Sequence, residues 1–269
     1  ILKYFKQFSK MLTESHYHFL TLMAFHSYLI EKFNYSPILF LVGDGGRGKT
    51  PTLKALSAIS RRGIFTETFR EANIIRWGGD YKASLFFDTK NFPKKVEFAN
   101  CEDLIYGRAE RGVTSSRVLY PDRGAFQDMK NFSNFGATAT TSNYMVDELT
   151  EMRCIVFHMP FSTDIFNIDP TPELGLDLKN ELTAFRLAHF DKPFVELGKI
   201  AAGKMENYLI GIHKMVRTHF PKYEADYLAF KEVIKEEKFE TAENSFSGRI
   251  VRLIDSLGGF VEEGTLCLT

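Results

Sequence analysis

Short, densely apolar runs alternate along the chain with longer stretches in which apolar residues recur every three or four positions. The short runs read as strands. Residues 38–42 (Ile-Leu-Phe-Leu-Val) are apolar without interruption, residues 64–69 alternate, and residues 83–88, 135–143 and 154–159 are again mostly apolar or small. Alternation marks a strand with one buried face, and an unbroken apolar run marks a strand covered on both faces, as in a parallel sheet. Helical spacing runs through residues 1–34, carried by Leu20, Met23, Ala24, Tyr28, Leu29 and Phe33. It returns over 52–60, 71–77, 102–110 and 147–152, then dominates 178–190, 193–219, 221–238 and 245–257. Two segments read as hairpins: 112–120 with 126–132 around the turn at 121–124, and 258–268 with Glu-Glu-Gly at its tip.

Chemistry concentrates where the first apolar run ends. Gly43, Asp44, Gly45, Gly46, Arg47, Gly48, Lys49 and Thr50 spell G-x-x-x-x-G-K-T. A phosphate chain needs several backbone N–H groups turned inward, and only residues without a Cβ let the backbone wrap so closely. The following helix adds the positive end of its dipole. In this pattern Lys49 reaches the β- and γ-phosphates and the Thr50 hydroxyl holds Mg²⁺, which predicts Mg-ATP as the ligand. The bland alternative is a glycine-rich hairpin with a chance lysine. Pro51 is tolerable there, since its missing N–H falls in the first helical turn.

Two further strand ends carry polar groups. Residues 83–88 (Ala-Ser-Leu-Phe-Phe-Asp) place one acid at the tip of a buried strand, where ligands bind in open α/β sheets. Asp88 there would hold the water shell of the Mg²⁺ seated on Thr50; otherwise it is a turn aspartate. Residues 135–143 end on Asn143, a carboxamide able to orient a water against a γ-phosphate or simply to form a turn. Arg153 precedes the last strand, as a surface residue or as a finger reaching a neighbouring subunit. The first hairpin carries Arg111, Arg117, Arg123 and Lys130, which can face a polyanion such as DNA. Glu110, Asp122 and Asp128 are interleaved with them, so a solvated mixed-charge hairpin fits equally. His16, His18 and His26 admit a metal site, but packed or solvated histidines are the commoner outcome.

Composition narrows this picture. Lys+Arg and Asp+Glu both number 34, so no overall basic field announces a nucleic-acid partner. The three cysteines show no C-x-x-C pairing, so neither a zinc ribbon nor a disulfide framework is suggested, and a reduced, cytoplasmic setting fits best. No apolar run approaches membrane-spanning length and no signal peptide is visible. The chain opens on Ile1 rather than methionine, as expected of a piece of a longer protein.

Taken in order, these elements resemble the AAA+ ATPases, and within them the branch holding superfamily 3 viral helicases and the MCM-like helicases of mobile elements. The resemblance covers residues 38–160 well and the helical tail loosely. It places Walker A on Gly43 to Thr50, Walker B on residues 85–88, sensor 1 on Asn143 and the arginine finger on Arg153. It implies an α/β fold: a P-loop AAA+ three-layer core with a parallel sheet and helices on both faces, plus a C-terminal helical lid and a winged-helix-like segment. The expected division is N-terminal helices over 1–34, the core over 35–165, the lid over 166–240 and a partial winged-helix-like unit over 241–269. The implied activity is ATP hydrolysis driving a DNA motor of the replicative type found on plasmids, phages and genomic islands. It would work as a ring, such as a hexamer, on single-stranded DNA. One departure stands out. The family usually has a second acid directly after the Walker B aspartate, whereas Asp88 is followed by Thr89 and Lys90. The acid then comes from elsewhere, for instance Glu67 at the end of the neighbouring strand, or hydrolysis is slow or lost. Arg186 is the candidate for the lid's second sensor, with an ordinary helix-surface arginine equally in play. Neutral net charge keeps open a remodelling or regulatory ATPase that acts on protein without nucleic acid. A P-loop kinase is the third reading, and the order of the motifs argues against it.

Overall fold

The computed structural model describes residues 1–118, 124, 129–144, 154–197, 204–244, 260–262 and 265–267. Two compact units emerge, residues 1–227 and residues 228–269. The first is built on a five-stranded parallel sheet. Its strands are β1 (Ile38–Val42), β2 (Gly63–Thr66), β3 (Ser84–Phe87), β6 (Thr138–Ser142) and β7 (Cys154–His158), in the spatial order β2-β3-β6-β1-β7. Between β3 and β6 the chain makes the antiparallel hairpin β4 (Thr114–Val118) and β5 (Met129–Ser133), with Thr114 opposite Ser133 and Val118 opposite Met129. The second unit contains a two-stranded antiparallel pair, β8 (Phe260–Glu262) and β9 (Thr265–Cys267).

Helices cover both faces of the sheet. Alternate residues of the strands point to opposite faces. On one face Ile38, Phe40 and Val42 of β1 join Leu85 and Phe87 of β3, packed beneath α4 (Glu71–Ile75), α5 (Phe92–Phe98) and α6 (Glu102–Tyr106). Phe40 meets Phe92 edge-on at 5.2 Å, and Phe69 stacks on Phe87 at 4.7 Å. The other face receives α3 (Lys49–Ile59) and α2 (Glu14–Tyr28), whose His16 ring lies 4.5 Å from Phe157 of β7. All five residues of β1 are buried, worth roughly 10 kcal/mol of apolar transfer before the entropy of ordering is set against it. The helix α2 is buried on most of its circumference because it also packs against α7 (Leu176–His189) and α8 (Lys204–His219). Among the described residues the remaining α-helices are α1 (Leu2–Phe5) and α9 (Glu224–Asn244).

Several boundaries differ from the sequence pattern. Residues 1–34 are not one helical run: a non-helical segment separates α1 from α2, and its apolar Phe8 and Met11 are buried in the core. The helix expected over 52–60 begins earlier, at Lys49, because Gly48 adopts the left-handed conformation (φ +81°) and turns the loop directly into the helix. The strand expected over 64–69 stops at Thr66, where the Thr68 N–H turns back to the Thr66 hydroxyl (3.0 Å). The helix over 71–77 does not stop at Gly78 but continues as a π turn, Arg76–Asp80. Helix α5 had no periodic signal; Asn91 caps it by accepting the Lys94 N–H (3.2 Å), with Pro93 in the first turn. Residues 121–123 of the first hairpin's turn, the helix over 147–152 and the helix over 245–257 lie outside the described residues.

Candidate functional site

The parallel sheet brings the polar strand ends to one edge. Residue pairing aligns Val42 with Ser142 and with His158, so the tips of β1, β6 and β7 end level. β6 is inserted between β1, which leads into the glycine loop, and β3, which leads into Asp88. That placement puts Thr141 and Asn143 between Lys49 and Asp88. A cavity of about 830 Å³ opens at this edge. Its walls include Gly45, Gly46, Gly48, Lys49 and Thr50 on one side, and Glu67, Asp88, Thr89 and Asn143 on the other. The volume lies within the range of sites that enclose a small molecule.

The glycine loop holds a cradle shape through its backbone. Gly46 has φ +79° with open space where a Cβ would stand, so conformation rather than crowding demands glycine there. At Gly48 both apply, since a Cβ would stand 2.9 Å from the Cβ of Ser9. The Lys49 ammonium donates to the carbonyls of Gly43 and Asp44, each at 2.6 Å. Burial pushes its pKa below the ordinary lysine range, while Asp88 and Asp44 pull the other way. Arg47 pairs with Asp44 and donates to the Met159 carbonyl (3.3 Å), tying the loop to the end of β7. Behind the loop, the Thr52 hydroxyl donates to the Gly48 carbonyl (2.8 Å) and lies 2.6 Å from the Ser9 hydroxyl.

Across the cavity, Asp88 is fixed at the tip of β3. Its N–H donates to the Thr66 carbonyl (3.0 Å). The Thr141 hydroxyl donates to the Asp88 carboxylate (2.6 Å) and accepts the Thr89 N–H (2.9 Å). The Asn143 N–H donates to the Lys90 carbonyl (2.8 Å), which locks the tip of β6 to the turn after β3. Glu67 is exposed just beyond β2 and faces the same cavity. The chemistry of this donor set suits a magnesium–triphosphate: a hydroxyl and a carboxylate for the metal, a lysine and a turn of backbone amides for the phosphates.

The structure therefore gathers Gly45, Gly46, Arg47, Gly48, Lys49, Thr50, Glu67, Asp88 and Asn143 around one cavity. Arg153 and Arg123 lie outside the described residues. The hairpin residues Arg111, Arg117 and Lys130 are elsewhere, and each is engaged. Arg111 donates to the carbonyls of Phe33 (2.7 Å) and Glu31 (2.6 Å), because the chain after α6 packs back on the segment before β1. Arg117 pairs with Glu71, and Lys130 with Asp80 at 3.3 Å. Arg186 does not reach the cavity: its guanidinium pairs with Glu31 (2.8 Å) and with the Tyr28 carbonyl, fastening α7 to α2. The three histidines make no joint site. His16 packs on Phe157, His26 is fully buried beside Phe33 (4.4 Å), and His18 sits 4.0 Å from Asp226. Among the described residues, no group of three or more His, Cys, Asp or Glu side chains is placed to hold a metal ion.

Sequence reasoning missed Thr141, Lys90 and Lys95, and the whole roof of the cavity: Phe8, Ser9, Lys10, Ser162, Asp164 and Phe166. The Thr-Thr-Ser run before Asn143 was a usable signal for Thr141, since hydroxyls at a buried strand tip need partners. The roof residues carry no local signal at all.

No family model matches the chain. Among solved structures it is similar to one titled "SCCmec type IV Cch - active helicase", at 14% identity and TM-score 0.45, over 91% of this chain and 53% of that one. It is also similar to JCV helicase with a bound acetamide compound (13% identity, TM-score 0.38, 88% of this chain and 60% of that one). The X-ray structure of JCV helicase gives 11% identity and TM-score 0.36, over 88% and 59%. The chain thus spans between 53% and 60% of the length of these proteins. No described helix is long and apolar enough to cross a membrane.

Proposed function

We propose that this chain is the ATP-hydrolysing motor part of a helicase-like protein that acts on DNA, of the replicative type carried by mobile elements. The observation that carries the reading is the convergence of the glycine cradle, Lys49, Thr50, Asp88, Glu67 and Asn143 on one cavity at the carboxyl edge of a parallel sheet. The loop amides and Lys49 hold the phosphates. Thr50 and Asp88 would hold a magnesium ion, which would supply charge neutralisation to the phosphates. Thr141 keeps the Asp88 carboxylate in one orientation by its 2.6 Å hydrogen bond. Asn143 positions the attacking water, and Glu67 takes its proton in place of the acid absent after Asp88. Arg153, given by a neighbouring copy in a ring such as a hexamer, stabilises charge on the transferring phosphoryl, a role worth about 10³–10⁵ in rate in related enzymes.

DNA as the track rests on the motif order described above and on the hairpin between β3 and β6. A specific observation favours the other reading, a remodelling ATPase acting on protein. The hairpin cations Arg117 and Lys130 are matched by Glu71 and Asp80 instead of standing free. ATPase assays with and without single-stranded DNA separate the two. The motor reading expects turnover stimulated by DNA, DNA affinity falling steeply with salt, and loss of turnover in Asp88→Ala and Glu67→Gln. Arg153→Ala should keep nucleotide binding and lose hydrolysis only in assembled protein. Turnover indifferent to DNA, with no DNA binding at low salt, selects the protein-remodelling reading.

A further inference from the structure

The only charged residues within β4 and β5 are Arg117 and Lys130. The register sets them directly opposite each other, so both project from one face of the hairpin. Like charges at facing positions repel, and a hairpin carries them at a cost unless an anion lies against them. Phe132 shares that face, opposite Ser115, and is buried. The Lys130 ammonium lies 4.6 Å from the centre of its ring. The other face carries Ser116, Val118, Met129 and Asn131, which are exposed and uncharged.

The charged face is the one that docks. It lies on the π turn Arg76–Asp80, where Gly79 leaves room for the Phe132 ring: a Cβ there would stand 2.8 Å from it. Asp80 follows and pairs with Lys130 (3.3 Å), while Glu71, at the start of α4, pairs with Arg117. All four charged side chains stay between 39% and 54% exposed. The aromatic contact is fixed by burial. The two ion pairs stand in water, where such pairs are weak and salt-sensitive. A carboxylate and a phosphate diester offer a guanidinium or an ammonium the same partner, a pair of anionic oxygens.

We propose that Glu71 and Asp80 stand in for DNA phosphates on the inner face of the hairpin, so that a single strand must displace both acids to bind there. This rests on the reading of the chain as a DNA motor and adds a self-inhibiting contact to it. The matched cations, which otherwise favour a protein substrate, become the resting state of a DNA-binding face. Displacing the acids returns them to water and strands no buried charge, so the exchange costs little.

The test is the affinity of the full chain for a fluorescent oligothymidine, read by anisotropy from low to moderate salt. Glu71→Gln/Asp80→Asn should bind about fivefold more tightly than wild type at low salt, with each single variant giving part of the gain. The gain should shrink as salt rises, because salt screens the pairs that restrain the wild type. Arg117→Gln/Lys130→Gln should bind about tenfold or more weakly, and adding Glu71→Gln/Asp80→Asn to it should bring no gain. Wild-type affinity in the acid variant overturns the gate. So does an equal gain with and without the two cations, which marks a general effect of net charge. In both of those cases DNA binding by the wild type leaves the motor reading in place. Failure of wild type and acid variant alike to bind at low salt removes the motor reading and the gate together.

Discussion

Two buried cations sit at different places on the same sheet, and they do different work. Lys49 opens α3 at the carboxyl edge, 8% exposed, and holds only two loop carbonyls. Arg108, just after α6, is fully buried and holds four acceptors: the Thr138 hydroxyl (2.7 Å) and the carbonyls of Ala83 (2.8 Å), Asn134 and Ala137 (both 3.1 Å). Burial lowers both pKa values, that of Arg108 to about 9. Both shifts run downward, yet of the two only Lys49 lines the cavity at the strand tips and has two carboxylates, Asp88 and Asp44, acting on it. Arg108 is instead enclosed by its protein: a Cβ at Gly78 or Gly136 would stand 2.6 Å from its guanidinium. It joins the start of β3, the start of β6 and the root of the β4–β5 hairpin. A perturbed cation marks a site when its donors can be handed to a ligand, and marks a brace when they cannot.

The largest effect that tests this contrast is a pair of opposite outcomes. Lys49→Ala should weaken ATP by about 100-fold or more, through loss of charge-assisted phosphate contacts, while the melting temperature moves by only a few degrees. Arg108→Met should strand several buried carbonyls and cost about 3–5 kcal/mol, a fall of roughly 10 °C in melting temperature. If both variants lose binding and stability to the same degree, the two cations are not doing separate jobs.

A smaller effect sharpens the cavity side. Thr141→Val keeps the shape of β6 but removes the hydrogen bond that orients Asp88. Turnover should fall about tenfold, with ATP affinity within a few-fold, since one misplaced metal ligand costs of the order of a hydrogen bond to a charged group. Steady-state kinetics beside equilibrium titration reads the split.

A separate effect lies away from both cations, in the helical layer. His26 is fully buried with neither ring nitrogen partnered, and burial lowers its pKa to about 3; that of His219 falls to about 4. Both depressions mean that the unfolded chain takes up a proton near pH 6.5 that the folded chain refuses. Stability is therefore intact above about pH 6.5 and declines as pH falls toward 4 and 3. From pH 6.5 to 5, His26 alone should remove about 2 kcal/mol. Denaturant unfolding at the two pH values checks this, and His26→Leu should flatten the dependence.

Much of the candidate site is legible in the sequence. The glycine loop, Asp88 and Asn143 each end an apolar run, and a run of that kind leaves few options beyond a buried parallel strand with its polar tip at the edge. Glu67 followed from the same logic applied to the neighbouring strand. The hairpin was legible as a hairpin, but not the fate of its cations, because Glu71 and Asp80 come from a helix and a π turn far earlier in the chain. Arg186 misled for the same reason: its partner Glu31 is 155 residues away.

The sequence by itself determined the strands, the cradle and the identity of the groups at the strand tips, because each of these is set by neighbours a few residues apart: glycines that permit positive φ, apolar runs that must be buried. The tertiary structure alone decided which tips stand side by side, that β6 separates β1 from β3, and that Lys10 meets Asp164 over the cavity. Those facts depend on how helices cross between strands and on which carbonyls are left needing a donor once they pack, and no local pattern of residues encodes either.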